Sequence, residues 1–174
     1  MSRRAVLPPA VLLAAVLVAG AGSASAAPER AVDLPRLFAA ELVEVRARSD
    51  VPVLLPQRMR SRFDRHVPGA RSSRRAWALE IGAVRGCGGA TACFIAQFTG
   101  RSGGRPQGRR TVKLFGGRTG YYRPLTCGAS CSPPSVQWRE AGAVYSIQAN
   151  VGTRRTERRR LVRLANSAIR SGPR

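Results

Sequence analysis

Ala76-Trp77-Ala78-Leu79-Glu80-Ile81-Gly82-Ala83-Val84 decides the fold class. Trp77, Leu79, Ile81 and Ala83 alternate with Ala78, Glu80 and Gly82, the period-two pattern of a strand with one covered face. The turn Arg85-Gly86-Cys87-Gly88-Gly89 follows, and Ala92 to Thr99 resumes the alternation with Phe94, Ala96 and Phe98 on one side. A β-hairpin is predicted here, with its loop clipped where Cys87 meets Cys93. Downstream, Arg101 to Gly108 reads as a glycine-rich basic loop, Arg110 to Phe115 as a strand and Gly116-Gly117 as a turn. Gly120 to Leu125 continues the sheet through Tyr121 and Tyr122, and Cys127 to Pro134 is a tight loop with two prolines. Ser135 to Glu140 and Ala143 to Asn150 form a second hairpin around Ala141-Gly142, with Val136 and Trp138 pointing one way.

The flanks are helical. Asp33 can cap a helix that carries Pro35 in its first turn, where the missing N–H is harmless. Leu34, Leu37, Phe38, Leu42 and Val45 recur at helical spacing, and the helix should end near Arg48. Val51 to Leu55, enclosed by Pro52 and Pro56, reads as an edge strand or extended segment. Gln57 to Arg75 is polar, basic and irregular. At the other end Leu161, Leu164, Ala165, Ala168 and Ile169 fall at i, i+3, i+4, i+7 and i+8, one apolar stripe. Thr153 or Thr156 can cap this helix, and Gly172-Pro173 ends it. The expected fold is α+β: an antiparallel sheet of about five to seven strands in meander order, with an N-terminal and a C-terminal helix packed on one face.

The front of the chain reads as a secretory leader. Arg3 and Arg4 precede an apolar stretch from Ala5 to Ala21, and Ala24-Ser25-Ala26 supplies small residues before a cleavage site after Ala26. A bilayer crossing needs about 20 apolar residues. The uninterrupted run from Ala10 to Ala21 has 12. Ser2-Arg3-Arg4 partly matches a twin-arginine signal, with Val6 where phenylalanine is usual, so either export route fits. Removing 26 residues from 174 leaves 148, which suits one exported domain from Ala27 to Arg174.

Net charge is +21, or +19 once Arg3 and Arg4 leave. A field of that size attracts polyanions: anionic envelope polymer or lipid headgroups for an exported chain. Of the 30 basic residues only Lys113 is lysine, a skew that a GC-rich genome also produces. Cys87, Cys93, Cys127 and Cys131 all lie beyond the leader, where thiols oxidise. Local pairs Cys87–Cys93 and Cys127–Cys131 are expected because each flanks a glycine-containing turn. The Cys-x5-Cys and Cys-x3-Cys spacings differ from the Cys-x2-Cys pairs of zinc ribbons, so neither metal nor cofactor is expected.

No complete catalytic set emerges. His66, the only histidine, stands in a loop beside Arg65 with Asp64 close by, and an oxidised Cys93 could not serve it as nucleophile. Glu80 and Glu140 sit on predicted strands and could meet on the open face of the sheet, as a polysaccharide hydrolase would require, or simply pair with arginines. The glycine clusters lack the Gly-Lys-Ser/Thr ending of a phosphate loop. No nucleic-acid-binding motif is present, which disfavours a specific nucleic-acid partner. Tyr121, Tyr122 and Trp138 would be stacking residues if they shared an exposed face, and Arg158, Arg159 and Arg163 on the C-terminal helix are candidate anion contacts.

The succession Val51-Pro52-Val53-Leu54-Leu55-Pro56, Cys87 to Cys93, Gly116 to Tyr122, Cys127 to Pro134, Trp138 and Tyr145 resembles uncharacterised exported bacterial proteins of actinobacterial type. The Trp-then-Tyr hairpin before the helix at Leu164 to Ile169 is similar to small sheet-and-helix domains of bacterial envelope proteins. That resemblance implies an extracytoplasmic place and carries over no functional residue. The expectation is an exported noncatalytic domain that binds an anionic envelope component, against two alternatives: a cell-wall polysaccharide hydrolase, and a structural or sensory domain with incidental charge.

Overall fold

The computed structural model describes residues 28–87 and 91–174. The segment expected to be a leader, with its expected cleavage position after Ala26, and residues 88–90 lie outside the described residues. The chain is α+β, as its alternation requires. Seven strands form one antiparallel sheet: β3 (Val67–Ser73), β4 (Ala76–Gly82), β5 (Phe94–Ser102), β6 (Arg110–Lys113), β7 (Thr119–Arg123), β10 (Ser135–Glu140) and β11 (Ala143–Ala149). Two small ribbons stand apart, β1 (Arg30–Asp33) with β2 (Arg58–Ser61) and β8 (Thr126–Cys127) with β9 (Cys131–Ser132). Among the described residues there are three α-helices: α1 (Leu34–Leu37), α2 (Ala39–Arg48) and α3 (Glu157–Ser171).

Asp33 caps α1 by accepting the Arg36 N–H at 3.1 Å. Leu34, Phe38, Leu42 and Val45 then turn inward, and the Phe38 ring meets Phe98 of β5 edge-on at 6.2 Å. Helix α3 buries Leu161, Leu164, Ala165, Ala168 and Ile169 in the same core. Trp77, Leu79 and Ile81 of β4, Ala96 and Phe98 of β5, Tyr145 and Ile147 of β11 and Val136 and Trp138 of β10 line the covered face. Cys87–Cys93 clips the β4–β5 hairpin, and Cys127–Cys131 closes the β8–β9 ribbon.

The strand order corrects the expected meander: it runs β3-β4-β5-β11-β10-β7-β6. After β5 the chain crosses to the far edge and returns inward through β6, β7 and β10 to β11, which closes beside β5. The crossing uses the glycine-rich loop 103–109. Gln107 N–H donates to Gln137 Oε1 at 2.8 Å. Gln137 lies on the open face, because its neighbours Val136 and Trp138 point into the core. A Cβ at Gly108 would come within 2.7 Å of the Tyr121 carbonyl carbon, so only glycine lets the strap lie this close.

Gln57 to Arg75 is likewise not irregular, since it holds β2 and the edge strand β3. Val51 to Leu55 is an extended buried connector with one bridge, Leu54 to Pro173, rather than a strand. The Pro52 carbonyl in this connector accepts both Trp77 Nε1–H at 3.3 Å and Tyr145 O–H at 3.1 Å.

Candidate functional site

Packing of α3 decides where its arginines go. With Leu161, Leu164 and Ala165 facing the sheet, Arg159 and Arg163 stand one turn apart on an exposed flank. Strand β2 buries Met59 and Ser61, so the intervening Arg58 and Arg60 project outward together. Both flanks line one groove of about 630 Å³, together with Arg160 and Glu29, and Ala31, Met59, Val151 and Leu164 are its apolar lining. Five guanidinium groups thus face one carboxylate.

That carboxylate is already committed. Arg160 Nη1 donates to both oxygens of Glu29 at 2.5 Å, and both side chains are largely shielded from water. Arg60, Arg159 and Arg163 have no carboxylate within 4.0 Å among the described residues, and Arg58 has only Asp33 at 4.0 Å. The groove therefore concentrates uncompensated positive charge over a low-dielectric floor, which focuses the field on an anion within it.

Next to this groove lies a buried polar contact that sequence inspection does not reveal. Glu157, 6% exposed at the first position of α3, accepts the Tyr122 O–H at 2.5 Å and the Leu125 N–H at 3.4 Å. Its charge sits at the positive end of the helix. Neither threonine caps α3 through its hydroxyl. Thr156 Oγ1 instead accepts the Thr153 N–H at 2.9 Å, while the Thr153 carbonyl accepts from Thr156 and Glu157.

Burial, and then the hydrogen bond to Glu157 and its charge, hold the Tyr122 phenol far above its usual range. Burial, then Glu140, push Tyr145 up to about 12. The unfolded chain releases these protons near pH 10 while the folded chain keeps them, so above that pH the folded state binds more protons. Their stabilising effect is complete below about pH 10 and is lost as pH rises toward the folded values. Denaturant midpoints should accordingly fall steadily above pH 10, and the fall should be shallower in Tyr122→Phe.

The other candidates separate. Tyr122 is 3% and Trp138 1% exposed, both in the core, whereas Tyr121 lies on the opposite, open face beneath the loop 103–109. The three make no shared stacking surface, because Tyr121 and Tyr122 are adjacent in one strand and must point to opposite sides. Glu80 and Glu140 also lie on opposite faces. Glu80 is on the open face with Arg71 and with Gln97 Nε2 at 2.6 Å, and Glu140 is on the covered face with Arg118 Nη2 at 2.6 Å. They do not form the carboxylate pair that a glycosidase mechanism needs.

His66 sits between β2 and β3, its pKa lowered by burial against the raising effect of Asp64. Cys93 is tied to Cys87 and offers it no thiol. Arg159 and Arg163 share the groove, but Arg158 points to a different cleft, with Arg110, Arg154 and Arg155. Sequence reading missed Glu29, Arg58 and Arg60. The available signal was the four-residue alternation Arg58-Met59-Arg60-Ser61, too short and too polar to register as a strand.

Among the described residues no cluster of His, Cys, Asp or Glu could hold a metal ion, and no helix is long and apolar enough to cross a membrane. Comparison with protein-family models, curated proteins and solved structures finds no match.

Proposed function

We propose that this chain is an exported, noncatalytic domain that binds an anionic component of the cell envelope in the groove between β2 and α3. One observation carries the reading: Arg58, Arg60, Arg159 and Arg163 line one concavity, and their only carboxylate partner among the described residues is Asp33, 4.0 Å from Arg58. Elsewhere on the sheet, Arg71 and Arg118 are compensated by Glu80 and Glu140. Two disulfides suit an oxidising compartment, as does the leader-like front of the sequence. The apolar stripe of α3 is fully used in packing, which favours a polymer lying in the groove over a helix lying on a lipid surface.

The test is a salt titration of binding to an anionic polymer by the chain purified after export. With four arginine contacts and about 0.7 counterions released per contact, affinity should fall roughly 50-fold between about 50 and 200 mM salt. Absence of binding at low salt would remove the reading.

A further inference from the structure

The two arginine-bearing flanks of the groove have similar spacings. Arg58 and Arg60, alternate residues on one strand face, are about 6.6–6.8 Å apart along β2. Arg159 and Arg163, one helical turn apart, are separated by about 6 Å along α3. Two pairs of arginines, one on the strand and one on the helix, each with its backbone positions roughly 6–7 Å apart, suit a chain that carries repeated charges. Each guanidinium presents a planar fork that matches two oxygens of a phosphate.

The lining narrows the ligand further. Beside the arginines lie Ala31, Met59, Val151 and Leu164, with no aromatic residue. Single-stranded nucleic acid is held by a basic track combined with aromatic platforms on which its bases stack. The aromatic residues stand elsewhere: Tyr122 and Trp138 in the core, Tyr121 under the strap, and the exposed Phe115 against Arg170. An aliphatic lining beside the arginines instead fits a short saturated carbon unit linking one phosphate to the next.

Resting on the groove reading above, we infer that the ligand is a linear polyol-phosphate polymer, a phosphodiester chain without bases, whose successive phosphates engage both arginine pairs. Glu29 contributes to the selection: by occupying Arg160 it leaves the charged contacts to Arg58, Arg60, Arg159 and Arg163.

The test compares three probes of equal length and charge on the chain purified after export: an oligo(glycerol phosphate), an oligoglutamate and an oligo(thymidylate), at one ionic strength. The oligo(glycerol phosphate) should bind about tenfold more tightly than either of the others. Equal or tighter binding of the oligoglutamate or the oligo(thymidylate) would overturn the assignment. The double variant Arg159→Gln/Arg163→Gln tells the two levels apart. If it weakens all three probes alike and they bind equally, the groove stands and the polyol-phosphate assignment falls. If it weakens none of them, the groove is not the site, and both fall.

Discussion

Trp138→Ala is expected to lower the stability of the fold by about 4 kcal/mol, the range measured when a large buried aromatic is truncated and its cavity only partly collapses. Trp138 is 1% exposed and stacks on Tyr145 at 5.6 Å with a 23° tilt between the rings. It faces Gly120 across the β10–β7 pairing, where Val112 and Leu114 already occupy the space a Cβ would take. No backbone shift can therefore refill the void cheaply. Its Nε1 has no hydrogen-bond partner among the described residues, so the loss is one of packing and apolar burial. Guanidinium unfolding followed by far-ultraviolet circular dichroism measures it. Polyanion affinity per folded molecule should be unchanged, since Trp138 does not line the groove. A stability loss below about 1 kcal/mol would place the ring at the surface, where an indole makes few such contacts.

The largest effect on binding is expected from neutralising both flanks at once. Arg58→Gln/Arg60→Gln/Arg159→Gln/Arg163→Gln removes four guanidinium groups that are exposed and contribute little to folding, so stability should move by no more than about 0.5 kcal/mol. Exposed charge contacts are each worth up to about 1 kcal/mol, and four of them amount to about 3 kcal/mol, or roughly 150-fold in affinity. The matched control is Arg71→Gln/Arg101→Gln/Arg123→Gln/Arg139→Gln. These four lie on the open face of the sheet, away from the groove. The control changes net charge equally but should cost only about threefold, through the weakened long-range field. Fluorescence anisotropy of a labelled anionic polymer checks both variants. Equal losses would mean that the chain binds through overall charge rather than through a site.

Much of the fold was legible because its signals are local. Alternation at Ala76 to Val84 and at Ser135 to Asn150, the Asp33-Leu34-Pro35 start and the stripe from Leu161 to Ile169 each read from a single window and appear as elements. The disulfides also followed from proximity in sequence, since Cys87–Cys93 and Cys127–Cys131 close turns. Strand order was not legible. The pairing of β5 with β11, and the return from the far edge, depend on long-range register that no window contains.

The site divides along the same line. Arg159 and Arg163 could be named from helical spacing, but their partners Arg58 and Arg60 come from a ribbon far earlier in the sequence that only packing brings beside α3. Nothing in the arginine-rich sequence around Glu157 marks it as buried. Its burial follows from the position of Tyr122, fixed by the sheet. Tyr121 and Tyr122 could have been assigned to opposite faces from strand parity alone, but which face holds Trp138 required the Trp138–Gly120 register.

The most direct test of the central claim is a titration of the isotopically labelled chain with an oligo(glycerol phosphate), followed by nuclear magnetic resonance. The groove account predicts that amide and guanidinium signals of residues 58–60 and 159–164 shift first and saturate together, while those of Arg71, Arg101, Arg123 and Arg139 stay in place. Shifts spread evenly over the arginines of both sheet faces would contradict it.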